Sequence, residues 1–400
     1  MSPPADEPTS PRADGTSHQA GDPGTLMRRL GWVVLGAGLP AVGVALALAS
    51  TRTGAAAAQD WPPFVLVSGL LLLGMVAGRD GLFAAGGFWV ARLARSGLSL
   101  LAASAVLVAV VAAVLNLDTA VVFLTPVLIA AARRRQVDEE PFMYLTIFLA
   151  NGASLLLPGS NLTNLIVIED RHLSGAGFAV TMLPAWIASC VAISVTVAVV
   201  FRHRLGAAAG GGPPVTRPRL GVGLAGVGVA VAAMVALPAG SAAWVVLAAG
   251  LLAAGWRLAG HRLTLDAVRR SVRFPLLAGL FGLAVGLGAL GRVWSGPHRL
   301  LAHAGSWETA GVGALAAVVF NNLPAASLLA SRPVPNPYAL LVGLNLGPNL
   351  VLTGGLAALL WWQVSGSTGA HPSVSRFTRL GVVVVPVSMA VAVGALVLFH

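Results

Sequence analysis

No lysine occurs anywhere in these 400 residues, and all 25 basic residues are arginine. That absence excludes a P-loop ATPase, whose phosphate-cradling glycines are followed by a lysine. It also excludes lysine Schiff-base chemistry. A single cysteine, Cys190, rules out an internal disulfide and any site built from several thiolates. Charge is scarce too: 10% of the residues, against about 25% in soluble domains. Hydrophobic residues make up 56% of the chain and mean hydropathy is +0.84. Such a chain cannot coat a water-facing surface, so it is read as an all-α polytopic membrane protein in a lipid bilayer. The net charge of +11 raises the question of a nucleic-acid partner. The arginines sit in short loops between apolar runs, however, where they act as topology signals, and no nucleic acid is expected.

Residues 1–26 are rich in Pro, Asp, Ser, Thr and Gly and form an expected disordered tail. The apolar stretch after Arg29 is long and lacks a clear cleavage site, unlike a signal peptide. Spans are expected at about 30–50, 62–78, 141–168, 177–201, 220–237, 241–256, 274–292, 337–363 and 378–399, near the ~20 residues a bilayer requires. Residues 81–95 read as an interfacial helix. Two more apolar regions, 97–132 and 305–332, are interrupted by Asn-rich motifs. Arginines flank the first of them at both ends, so it should enter and leave on one side as a re-entrant hairpin with NLDT at its tip.

The arginine bias places the N-terminus, and a linker at 202–219, in the cytoplasm and the C-terminus outside. The second hairpin, with tip Asn321–Asn322–Leu323–Pro324, then dips in from the opposite face. The expected units are therefore a first transmembrane repeat at 27–201 and a second at 220–400, in inverted topology. This is the pattern of a secondary transporter, located in the plasma membrane. Each hairpin is followed by an apolar segment with a polar break: NGASLLLPGSNLTN at 151–164 and NLGPNLVLTGGLA at 345–357. Pro158, Gly159, Gly347, Pro348, Gly354 and Gly355 interrupt a helix. Freed backbone groups at membrane depth are tolerable only in protein or along a cavity. The candidate substrate-binding residues are Asn116, Thr119, Asn151, Ser154, Ser160, Asn161, Thr163, Asn164, Asn321, Asn322, Asn345, Asn349 and Thr353. These amides and hydroxyls either touch substrate or satisfy the freed backbone.

Asp118 is a lone acid in a long apolar run, where charge is expensive. It is the candidate for proton coupling, with capping of the second hairpin leg as the structural alternative. Cys190 reads as a core residue, His303 and Glu308 as interfacial, and Trp361 and Trp362 as interface anchors. No second acid is expected at depth beside Asp118. An intramembrane enzyme would need a nucleophile–base pair or metal cluster, and no HExxH motif is present, so neither catalysis nor a cofactor nor a metal is expected.

The blocks NLDTAVVFLTPVLIA, ANGASLLLPGSNLTNLIV, VVFNNLPAA and LNLGPNLVLTGGLAALLW, in order, resemble the motifs of arsenical-pump membrane permeases. These belong to the ion transporter superfamily, with its citrate and dicarboxylate carriers and sodium/proton antiporters. The resemblance runs from about residue 62 to 399. It implies two scaffold regions, two moving regions, a homodimer, and export of arsenite or antimonite against protons; a separate ATPase subunit stays open. The alternative it leaves is an anion carrier or a Na+/H+ antiporter of the same superfamily. Where that branch usually has an acid in the first break, this chain has Asn151. Where it has an acid and a Lys around its LGP motif, this chain has Asn345 and Asn349.

Overall fold

A computed structural model describes residues 23–168, 174–206 and 221–399. All elements among them are helices. The expected tail lies outside these residues up to 22, but helix α1 (Pro23–Arg79) already begins inside it. Most of the expected 202–219 linker also falls outside the described residues.

Helix α1 joins the two spans expected at 30–50 and 62–78, and the segment between them is helical rather than a loop. It breaks at Ala49 (φ −159, ψ 65) and reverses there. Its partner along both halves is α11 (Phe274–Val293). Gly31 lies against Leu276, Gly38 against Gly279 and Gly282, and Ala41 against Gly286. Arg52 then donates to the Arg292 carbonyl. Beyond it the order inverts: Ala56 meets Gly288, Phe64 packs edge-on against Phe281, and Ser271 donates to the Leu71 carbonyl. The first crossing needs glycine. A Cβ on Gly38 would stand 2.3 Å from the Gly279 carbonyl oxygen, so the backbones touch as packed membrane helices do.

Helix α2 (Leu82–Leu93) follows, then a hairpin of α3 (Gly97–Val114) and α4 (Leu117–Arg134). Ser96 caps α3 and Asn116 caps α4, each side chain accepting an orphan amide of the first turn. Helices α5 (Glu140–Ala153) and α6 (Leu162–Ile168) flank a break with a 3-10 turn at Pro158–Ser160. After α7 (Gly175–Val200) come α8 (Val222–Ala236), α9 (Ala239–Ala259), α10 (Leu265–Val272) and α11. Helix α12 (Gly296–Ala302) leads to the second hairpin, α13 (Ser306–Phe320) and α14 (Asn322–Leu329). The second break, with a 3-10 turn at Gly347–Leu350, lies between α15 (Pro337–Leu346) and α16 (Leu356–Ser367). Helix α17 (Val374–Phe399) ends the chain. Helices α10 and α12 are additions to the expected set.

The two hairpins run in opposite senses. Thr119, Phe123 and Val127 of α4 lie in turn against Gly74, Gly78 and Gly87, so α4 heads toward the end of the molecule where Asp80 pairs with Arg257. There Arg135 donates to the Ala94 carbonyl, and Arg204 bonds to Asp138 at 2.9 Å. Helix α14 instead follows α11 toward Arg292, whose carbonyl accepts from Arg332 at 2.8 Å.

Six helical stretches among the described residues are long and apolar enough to cross a bilayer. Large apolar side chains face outward on them, Leu48 at 81% and Leu252 at 74% exposure. Lipid is the solvent that such a surface fits, and the protein is a multi-pass membrane protein.

Candidate functional site

The two helix breaks, far apart in sequence, meet through their amides. Asn151 donates to Asn349 Oδ1 at 2.7 Å. Asn345 is fully buried and lies at the centre. Its Oδ1 accepts from Asn161 at 2.6 Å and from the Thr163 hydroxyl at 2.7 Å, and its Nδ2 donates to Asn164 Oδ1 at 2.7 Å. Asn164 in turn donates to the carbonyls of Ser154 (2.7 Å) and Leu157 (3.0 Å), and Asn349 to that of Phe148 (3.1 Å). The Ser154 hydroxyl donates to the Asn151 carbonyl at 2.8 Å. Carbonyls released where α5 stops thus find amide donors, and the amides tie one half of the chain to the other.

The hairpin tips dock on these breaks. Ser160 Oγ donates to the Ala113 carbonyl at 2.6 Å, where α3 ends. At the second tip the Asn322 amide donates to the Gly354 carbonyl at 3.1 Å, and Asn321 Nδ2 reaches the Thr353 carbonyl at 3.4 Å. Asn321 and Thr353 therefore bond to each other rather than to the buried network. Asn321 has φ 73 and ψ 148, a region that residues with a Cβ rarely adopt, so backbone strain is stored at this tip.

Asp118 is not the helix cap that its structural alternative required. The cap of α4 is Asn116, whose Oδ1 accepts the Thr119 amide at 2.7 Å. Asp118 stands in the first turn and lines a cavity of about 70 Å³ together with Thr119, Ser271 and Arg273. Arg273 is the charged partner that the sequence reading missed. A second omission is Asp60, an acid buried to 1% exposure within α1. Beside it, Gln59 donates to the carbonyls of Ile166 (2.9 Å) and Ala330 (3.2 Å) and accepts from Arg292 at 2.5 Å. It thus anchors the ends of α6 and α14 to the paired helices α1 and α11. The bland readings divide. Glu308 accepts the Gly305 amide at 2.6 Å and caps α13. Trp361 is no interface anchor: it is fully buried, donates to the Met143 carbonyl at 2.8 Å and packs on Tyr144 and Phe377.

Comparison with known proteins places this arrangement. The chain is 26% identical over 376 residues to a 46 kDa membrane protein of Mycobacterium leprae, covering 83% of this chain and 85% of that protein. It is likewise 26% identical over 368 residues to an uncharacterized transporter of Mycobacterium tuberculosis, with the same coverage. The crystal structure of the YdaH transporter of Alcanivorax borkumensis superposes with a TM-score of 0.53 over 94% of this chain and 97% of that one. At 15% identity that likeness is one of fold. The profile of the citrate transporter family matches residues 26–345. With helical hairpins, broken helices and a polar centre inside an apolar exterior, this chain belongs to the citrate transporter family of membrane transporters.

Proposed function

We propose that this protein is a proton-coupled secondary transporter whose cargo is a small oxyacid anion of the citrate type. The observation that carries the reading is the set of helix ends gathered around the two breaks. Helices α4, α14 and α16 start there, and α3, α5, α13 and α15 end there. Helix starts favour anionic groups and helix ends favour cations, an arrangement that suits an anion travelling with a coupling cation. Asn345, Asn349, Asn161 and Thr163 offer the hydrogen bonds, and Asp118 carries the proton. The two halves act as inverted repeats that rock about the amide network, a reading supported by the opposite senses of α4 and α14. The N-terminus lies in the cytoplasm, the C-terminus outside, and the working unit is a homodimer.

A second reading is arsenite or antimonite export, as the motif resemblance suggests. It is favoured by the amide network itself, which contains no charged side chain and suits a neutral hydroxide. A multiply charged anion held by amides alone would meet a severe desolvation penalty. Growth separates the two. In a bacterium lacking its own citrate carriers and arsenite pumps, expression should restore growth on citrate and leave arsenite sensitivity unchanged. Arsenite resistance without citrate growth would replace the first reading with the second.

A further inference from the structure

The cavity beneath the first hairpin tip is built from both halves of the chain. The start of α4 contributes Asp118 and Thr119, and the joint between α10 and α11 contributes Ser271 and Arg273. Arg273 holds φ 49 and ψ 50, a left-handed conformation unfavourable for a side chain of its kind, and it ends one helix while beginning the next. The Ser271 hydroxyl, 3.4 Å from the Leu71 carbonyl, helps tie this joint to α1. Helices α1 and α16 face the cavity with leucines only, and α10 and α11 add only Ser271 and apolar residues besides Arg273. Among the described residues lining it, Arg273 is therefore the one charged group facing Asp118, and the two attract each other.

Two polar groups here are left over. Thr119 is 1% exposed, lines the cavity, and its hydroxyl oxygen has no hydrogen-bond partner. Asn116 Nδ2, at the same tip, is also buried without one. Native proteins rarely bury such groups idle, and an unfilled place for a ligand is one reason they do. An arginine, an unused hydroxyl and the start of an 18-residue helix together suit a carboxylate or similar oxyanion. The volume holds one such group, since a single water needs about 10–15 Å³ by a comparable measure.

We propose that this cavity binds one carboxylate or oxyanion group, and that Asp118 controls access to it by competing for Arg273. One guanidinium in apolar surroundings can balance one negative charge. A second anion would stay uncompensated, which burial penalises. With Asp118 ionised, its carboxylate occupies Arg273 and excludes the ligand. With Asp118 protonated, Arg273 is released to the ligand, so proton and anion enter together with no net charge. The link to transport rests on the anion-carrier reading; binding in the cavity does not.

Acetate is small enough to probe the cavity directly. Thermal unfolding of the purified protein in detergent should shift upward with acetate at mildly acidic pH, but not at mildly alkaline pH, at matched ionic strength. Asp118→Asn should bind acetate equally at both, Arg273→Gln at neither, and Arg273→Lys should keep weakened, pH-dependent binding. No acetate shift in the wild type, equal shifts at both pH values, or wild-type binding by Arg273→Gln would each overturn the proposal. Acetate binding as described in a protein that transports no anion would sink the carrier reading alone. Citrate transport without acetate binding would sink this inference alone.

Discussion

Asn345 joins the two halves, accepting from Asn161 and Thr163 and donating to Asn164. Truncation to Ala strands those partners in the interior, at about 1–3 kcal/mol for each unsatisfied group. Asn345→Ala should therefore lower the melting temperature clearly and abolish transport; near wild-type stability would mean that the network closes without it. Asp118→Asn should behave differently. Asn116 already caps α4, so the variant should fold, reach the membrane and lose proton-driven transport. Wild-type flux with unchanged pH dependence would leave Asp118 without a coupling role. The amides were legible in the sequence because Asn is conspicuous in an apolar run. Arg273 was hidden among Arg269 and Arg270, a group that the topology rule assigns to a loop. Asp60 was hidden because TRTGAAAAQD has the composition of a loop, while its alanines make a sound helix.

At the scale of elements, proline, glycine and asparagine mark the breaks and hairpin tips wherever they fall, and those boundaries emerged within a few residues of expectation. Helix α10 left no apolar run to find, and α12 has only seven residues. Nothing local in the sequence reveals that α1 and α11 touch at glycines, because the contact depends on helices over 200 residues apart. Gly38→Leu would drive a side chain into the Gly279 carbonyl. It should cost on the order of 1–3 kcal/mol or more and reduce folded yield in detergent, measured by size-exclusion chromatography. At the second tip the strained backbone of Asn321 predicts the reverse for Asn321→Gly, with equal or higher stability. A large loss of stability there would show that the side-chain contact with Thr353 outweighs the backbone term.

For the whole molecule, the arginine bias proposes an orientation with the N-terminus and the linker in the cytoplasm, and labelling tests it. The Asp80–Arg257 end gathers the open end of the first hairpin, and the Arg292 end receives that of the second. Single cysteines introduced at 207–220 in a Cys190→Ser background should resist impermeant thiol reagents added outside intact cells. Ready labelling would invert the proposed topology. The cargo was the least legible feature, because the side chains meeting at the breaks are neutral amides that suit both an anion and a neutral hydroxide. Flux decides it. In proteoliposomes of the purified protein, an imposed proton gradient should drive accumulation of radiolabelled citrate or a related carboxylate. An uncoupler should abolish it, and so should Asp118→Asn. Carboxylate uptake that ignores the proton gradient, or none at all beside proton-driven arsenite movement, would contradict the account.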